Sequence, residues 1–142
     1  MATATAQAPP EATSLLGKPL VSASQADAVR QRNEENLAAA KAAYDKNTAS
    51  ADAIIWLGRR TAYLGRFRDA IAIFSQGIER HPADARMYRH RGHRYITILK
   101  FDLAIADLTK AWDLAKNQPD APEPDVNGAP AGSELTVISI AG

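Results

Sequence analysis

The chain has 142 residues, no cysteine, and a formal charge of +1 from 17 Lys plus Arg against 16 Asp plus Glu. This length suits one domain of ordinary size. The missing thiols exclude disulfide staples, thiolate zinc sites and cysteine nucleophiles. No run approaches the ~18 consecutive apolar residues of a membrane-spanning helix, and the near-zero net charge argues against bulk nucleic-acid binding.

Residues 1–23 are rich in Ala, Thr, Ser and Pro. Their few apolar side chains cannot offset the entropy of ordering the chain, so a flexible N-terminal segment is expected. No basic stretch leads into an apolar core of the kind an intact secretory signal carries, which favours a cytoplasmic protein. Residues 24–50 read as a leading helix. Ser24-Gln25-Ala26-Asp27 resembles a capping box, and Val29, Leu37, Ala40 and Tyr44 then fall near one face. The spacing predicts a helix over about 25–46, followed by a turn at Asn47–Ser50.

The next 68 residues repeat with a 34-residue offset. Gly58 aligns with Gly92, Phe67 with Phe101, Ala70 with Ala104, Ile71 with Ile105, and Phe74 with Leu108. Small residues recur where two helices would touch, and large apolar residues recur where the space between them is filled. Helices are predicted over about 51–64, 67–80, 84–99 and 101–116. Ser50 is a predicted N-cap, Gly65 a stop, and Pro82 a residue that ends the preceding helix. A large side chain at Gly92 would overpack the helix contact.

Within residues 51–84 stand Leu57-Gly58, Gly65-x-Phe67, Ala70, Phe74 and Pro82. This pattern resembles one unit of the tetratricopeptide repeat (TPR) family. Residues 85–118 resemble a second unit through Tyr88, Gly92, Tyr95, Phe101, Ala104, Leu108 and Ala111. That copy departs from the family pattern with Arg91 at a position that favours Leu, Leu99 at the inter-helix Gly, and the closing proline displaced to Pro119. The resemblance implies an all-α chain of tandem helix-turn-helix units, a TPR-like α-solenoid of about two and a half repeats with disordered tails. Residues 24–50 would be the degenerate half repeat.

Residues 119–142 begin as a Pro/Gly-rich linker and carry Asp120, Glu123, Asp125 and Glu134 with no basic residue. They read as an acidic tail. Its closing stretch, Leu135–Ala141, is β-branched and uncharged. The tail's charge opposes that of residues 51–98, where nine Arg face four acidic residues. A loose association of the tail with that basic segment is therefore expected.

No glycine-rich phosphate loop, Gly-x-Ser-x-Gly elbow or His-Glu-x-x-His motif is present. His90 and His93 lie three apart among arginines. This is a poor cation site, because guanidinium groups repel a metal ion, and the pair reads as surface histidines. Asp102 and Asp107 sit near Lys100 and Lys110, as on a solvated helix face. Trp56 and Trp112 read as packing residues. The chain is therefore expected to be non-enzymatic and to use no cofactor. By resemblance, the first helix of each unit lines a concave groove. This places Ile55, Arg59, Ala62 and Tyr63 on one wall, and Arg86, Arg89, His93, Ile96 and Thr97 on the next. Of these, Ile55, Arg59, Tyr63, Arg86, Arg89, His93 and Ile96 are the expected peptide contacts. Guanidinium groups suit a carboxylate or phosphate. The expected partner is an acidic or extended peptide, with a nucleic acid as the alternative ligand of the same arginines.

Overall fold

In the computed structural model, residues 9–119 are described. Five helices account for most of them: α1 (Asp27–Lys46), α2 (Ala51–Tyr63), α3 (Phe67–Arg80), α4 (Ala85–Thr97) and α5 (Phe101–Ala115). A two-residue strand β1 (Ala12–Thr13) pairs antiparallel with β2 (Pro19–Leu20), Ala12 opposite Leu20. The class is all-α with a minor hairpin. Among the described residues no helix is long and apolar enough to cross a membrane.

Local chemistry sets the helix ends. The Ser50 side chain accepts a hydrogen bond from the Ala53 amide at 3.2 Å, capping α2. Asp84 does the same for α4 through the Arg86 amide at 3.0 Å. Gly65 adopts φ +76° and breaks the chain between α2 and α3. Thirty-four residues on, Leu99 adopts φ +62° in the corresponding turn, a conformation costly for a side chain with a Cβ. The capping box expected at Ser24 is absent. Ala26 precedes α1 with no side-chain cap, and α1 begins at Asp27.

Consecutive helices pack against one another, and α2 also meets α4. The pairing is antiparallel. Gly58 of α2 faces Phe74 of α3, while Ile54 faces Gly77. A Cβ at Gly58 would stand 2.5 Å from the Phe74 ring, so only glycine permits this approach. Gly92 meets Leu108 of α5 in the equivalent way, with 2.9 Å left for a Cβ. The main core consists of Ile54, Ile55, Ala62, Ala70, Phe74 and Met87. Trp56 packs on Ala40 of α1 in a second cluster. Trp112 does not fill a core; it remains half exposed on α5, beside exposed Phe101 and Ile105.

The described part of the N-terminal segment departs from the flexible arm its composition suggested. Glu11 accepts from the Arg68 amide at 2.9 Å, and its carbonyl accepts from Arg68 Nε at 3.0 Å. Ser22 Oγ donates to the Gly65 carbonyl. These bonds dock the hairpin on the α2–α3 turn. Composition counts apolar area and misses such partners, which lie 43 to 57 residues away in the chain. The acidic tail from Asp120 onward, with its apolar stretch Leu135–Ala141, lies outside the described residues, as do residues 1–8.

Candidate functional site

The arginine-rich segment does not form one exposed basic face. Arg89 is only 1% exposed, and Ile55 only 4%. Both were expected to meet a ligand, and both are interior. The 3.6-residue period that turns part of α2 and α4 outward turns these two positions inward. Arg86 is engaged on both sides. Its guanidinium reaches Asp52 and Asp84 at 2.7 Å each, joining the starts of α2 and α4. Burial alone would push the Asp84 carboxyl up, but the hydrogen bonds and charge of Arg86 outweigh it and hold the pKa below the usual carboxylate range. Arg86 is raised in turn: burial opposes its charge, and the bonds to Asp84 and Asp52 prevail.

Arg91 and Asp107 correct the reading of Asp107 as a solvated residue. Arg91 Nε and Nη2 reach the two Asp107 oxygens at 2.7 and 2.8 Å, and Arg91 Nη1 donates to Ser75 Oγ at 3.0 Å. Asp107 is 6% exposed. The hydrogen bond to Asp107 raises the Arg91 pKa against the effect of burial. This fork-to-carboxylate pair explains how an arginine is accommodated at a helix-packing position.

Two other arginines, Arg59 and Arg94, converge with two histidines. Arg59, Ala62 and Tyr63 from α2, Phe74 from α3, and His90, His93 and Arg94 from α4 line one cavity of about 180 Å³. Arg59 is held in place: its Nη2 donates to the Tyr63 hydroxyl at 3.1 Å, and its guanidinium lies 4.3 Å from the Trp56 ring centre. The Tyr63 carbonyl accepts from Gln25 and Asn33, which pins the end of α2. Arg94 stands 5.9 Å from the Phe67 ring centre. Burial lowers its pKa, and Arg59 adds to the effect against an opposing contribution from Tyr63.

His90 is half-buried on the cavity wall and not an exposed residue of a solvated histidine pair. Its ring stacks on Phe74 with centres 5.5 Å apart, and its Nε2 lies 3.0 Å from Arg89 Nη2. A guanidinium can only donate, so Nε2 is the acceptor and the proton of the neutral ring sits on Nδ1. Burial pushes the His90 pKa well down, and Arg89, Arg59, His93 and Arg94 push it further.

Of the residues expected from sequence, the structure thus brings Arg59, Tyr63 and His93, with Ala62, to one cavity. Ile96 is 43% exposed and does not line it. His90 and Arg94 line it and were missed as groove residues. Among the described residues no three His, Asp or Glu side chains gather as metal ligands would. A wider cleft of about 500 Å³ between the α3–α4 turn and the end of α5 includes Asp84 and Arg86, already bonded to each other. No protein-family model matches this chain, and no curated protein matches it.

Proposed function

We propose that the protein is a non-enzymatic interaction module of the TPR-like kind, and that it holds an acidic peptide across the α2–α4 face. In this reading α2–α3 and α4–α5 are two helix-hairpin units, and α1 is a preceding half unit. Contact between α2 and α4, the first helices of the two units, supports it. So does the placement of Gly58 and Gly92 at equivalent close approaches.

The observation that carries the ligand class is the convergence of Arg59, His93, Arg94 and the Tyr63 hydroxyl on one small cavity. Two guanidinium groups offer paired donors to a carboxylate or phosphate oxygen. A cavity of about 180 Å³ suits one such group, so selectivity would come from flanking residues along the groove. Commitment of Arg86 to two aspartates and burial of Arg89 leave less basic surface for a phosphate backbone than the arginine count suggests.

Fluorescence anisotropy with labelled acidic, neutral and basic peptides, and a single-stranded oligonucleotide, tests this. The acidic peptide should bind best. Arg59→Ala combined with Arg94→Ala should weaken it about tenfold or more, since hydrogen bonds to charged groups contribute ~1.5–3 kcal/mol each. Tighter binding of the oligonucleotide, or indifference to both substitutions, contradicts the proposal.

A further inference from the structure

The outer face of α5 carries four apolar side chains at helical spacing. Phe101, Ile105, Leu108 and Trp112 follow one another at intervals of four, three and four residues. With 3.6 residues per turn they form one stripe about 60° wide and ~16 Å long. Phe101 is 47% exposed, Ile105 64% and Trp112 42%, while Leu108 is half-buried against Gly92. The same stripe stands 34 residues earlier on α3 as Phe67, Ile71, Phe74 and Ile78. There α4 packs on the helix. Phe74 is buried and the other three are half-buried. α5 has no such cover, because no helix follows it among the described residues. An apolar stripe so placed is a surface for another helix.

The order of the spacings selects the occupant. Four-three-four reads the same in both directions. An antiparallel copy of α5 therefore sets Phe101 against Trp112 and Ile105 against Leu108, and the two-fold axis repeats both contacts. Charge acts in the same sense. Asp102 and Lys116 flank one side of the stripe, at its start and its end. An antiparallel pair brings the Asp102 end of one helix to the Lys116 end of the other, whereas a parallel pair opposes like charges. We infer that the protein self-associates through α5, as a two-fold dimer whose helices run antiparallel across this stripe. The three exposed side chains offer roughly 300 Å² of apolar area per protomer, short of the ~800 Å² per partner of a stable complex. The dimer is therefore weak, with a dissociation constant on the order of 100 μM. The cavity lining comes from α2, α3 and α4, so pairing uses none of its residues and does not depend on the acidic-ligand reading.

Sedimentation equilibrium of the full chain, from about 10 μM to about 1 mM, tests the association. The weight-average mass should rise from that of one chain toward that of two. Ile105→Glu should hold it at one chain throughout. Leu103→Glu places the same charge on the opposite side of α5, at a position 49% exposed, and should leave association unchanged. A second measurement needs no change within the stripe. The chain has no cysteine, so Asp113→Cys accepts a single nitroxide. Mixed with a spin-free, nitrogen-15-labelled copy, it should broaden amides at the start of α5. Broadening at the end of α5 instead overturns the antiparallel pair. A mass of one chain at every concentration overturns the association, as does its loss in Leu103→Glu and Ile105→Glu alike. If the chain stays monomeric and Val137→Asp shifts the α5 amides, the chain's own stretch Leu135–Ala141 is the cover and self-association is refuted.

Discussion

Arg91 occupies a helix-packing position where an apolar side chain would ordinarily sit, and its counterpart lies sixteen residues away in Asp107. Neither residue advertises the other in sequence. Asp107 looks solvated beside Lys110, and Arg91 looks like one more member of a basic run. Only the α4–α5 packing brings them together. Asp107→Ala would leave a guanidinium largely enclosed without its carboxylate, at a cost of about 3 kcal/mol. Replacing both residues by Leu should recover most of that loss, because the pair's own desolvation disappears with it. Urea melts of the single and double variants check this. His90 makes a second residue-scale prediction. Its pKa is lowered in the folded protein, so the unfolded chain takes up a proton that the folded chain refuses. Stability should therefore fall as pH drops below about 6.5, by at most ~1.4 kcal/mol per pH unit from this group. His90→Gln should flatten that part of the profile, read from thermal melts between pH 7 and 5.

The helices themselves were largely legible. Ser50, Gly65 and Pro82 are local signals whose physics acts within a few residues, and the observed ends of α2 and α3 agree with them to within a residue. Gly58 and Gly92 were legible as contact points because small residues recur at the same offset. The turn at Leu99 shows what a repeat pattern adds. It copies the backbone of the Gly65 turn without the glycine. Leu99→Gly should therefore leave stability undiminished, relief of a left-handed conformation worth ~1–2 kcal/mol offsetting the lost side chain. The same change at Leu103, inside α5, should cost about 1 kcal/mol or more. Equal losses at the two positions would show that the Leu99 conformation carries no strain. The direction each arginine faces was less legible. Nine arginines in 48 residues suggest a basic surface, yet period and packing turn Arg89 inward, commit Arg86 and Arg91 to aspartates, and leave Arg59 and Arg94 on the cavity wall.

Over the whole molecule, long-range hydrogen bonds add what composition omits. The N-terminal hairpin is held at Glu11 and Ser22 and buries one apolar residue, Ala12, while Leu15 and Leu16 at its tip are almost fully exposed. Glu11→Ala should loosen its docking at a cost of about 1 kcal/mol, the bonds of the Glu11 carbonyl and Ser22 remaining. Faster amide exchange at Arg68, with α4 and α5 unaffected, would show this. Tyr63 connects α1 and the residues just before it to the cavity, because its carbonyl is held by Gln25 and Asn33 while its hydroxyl holds Arg59. The central claim is that the α2–α4 cavity receives an acidic group. The most direct measurement is a nitrogen-15 chemical-shift titration of the full chain with an acidic peptide. The account predicts that the largest changes map to Arg59, Tyr63, His93 and Arg94, with saturation at a common affinity. Changes confined to the exposed α5 residues Phe101, Ile105 and Trp112, or no changes at all, would contradict it.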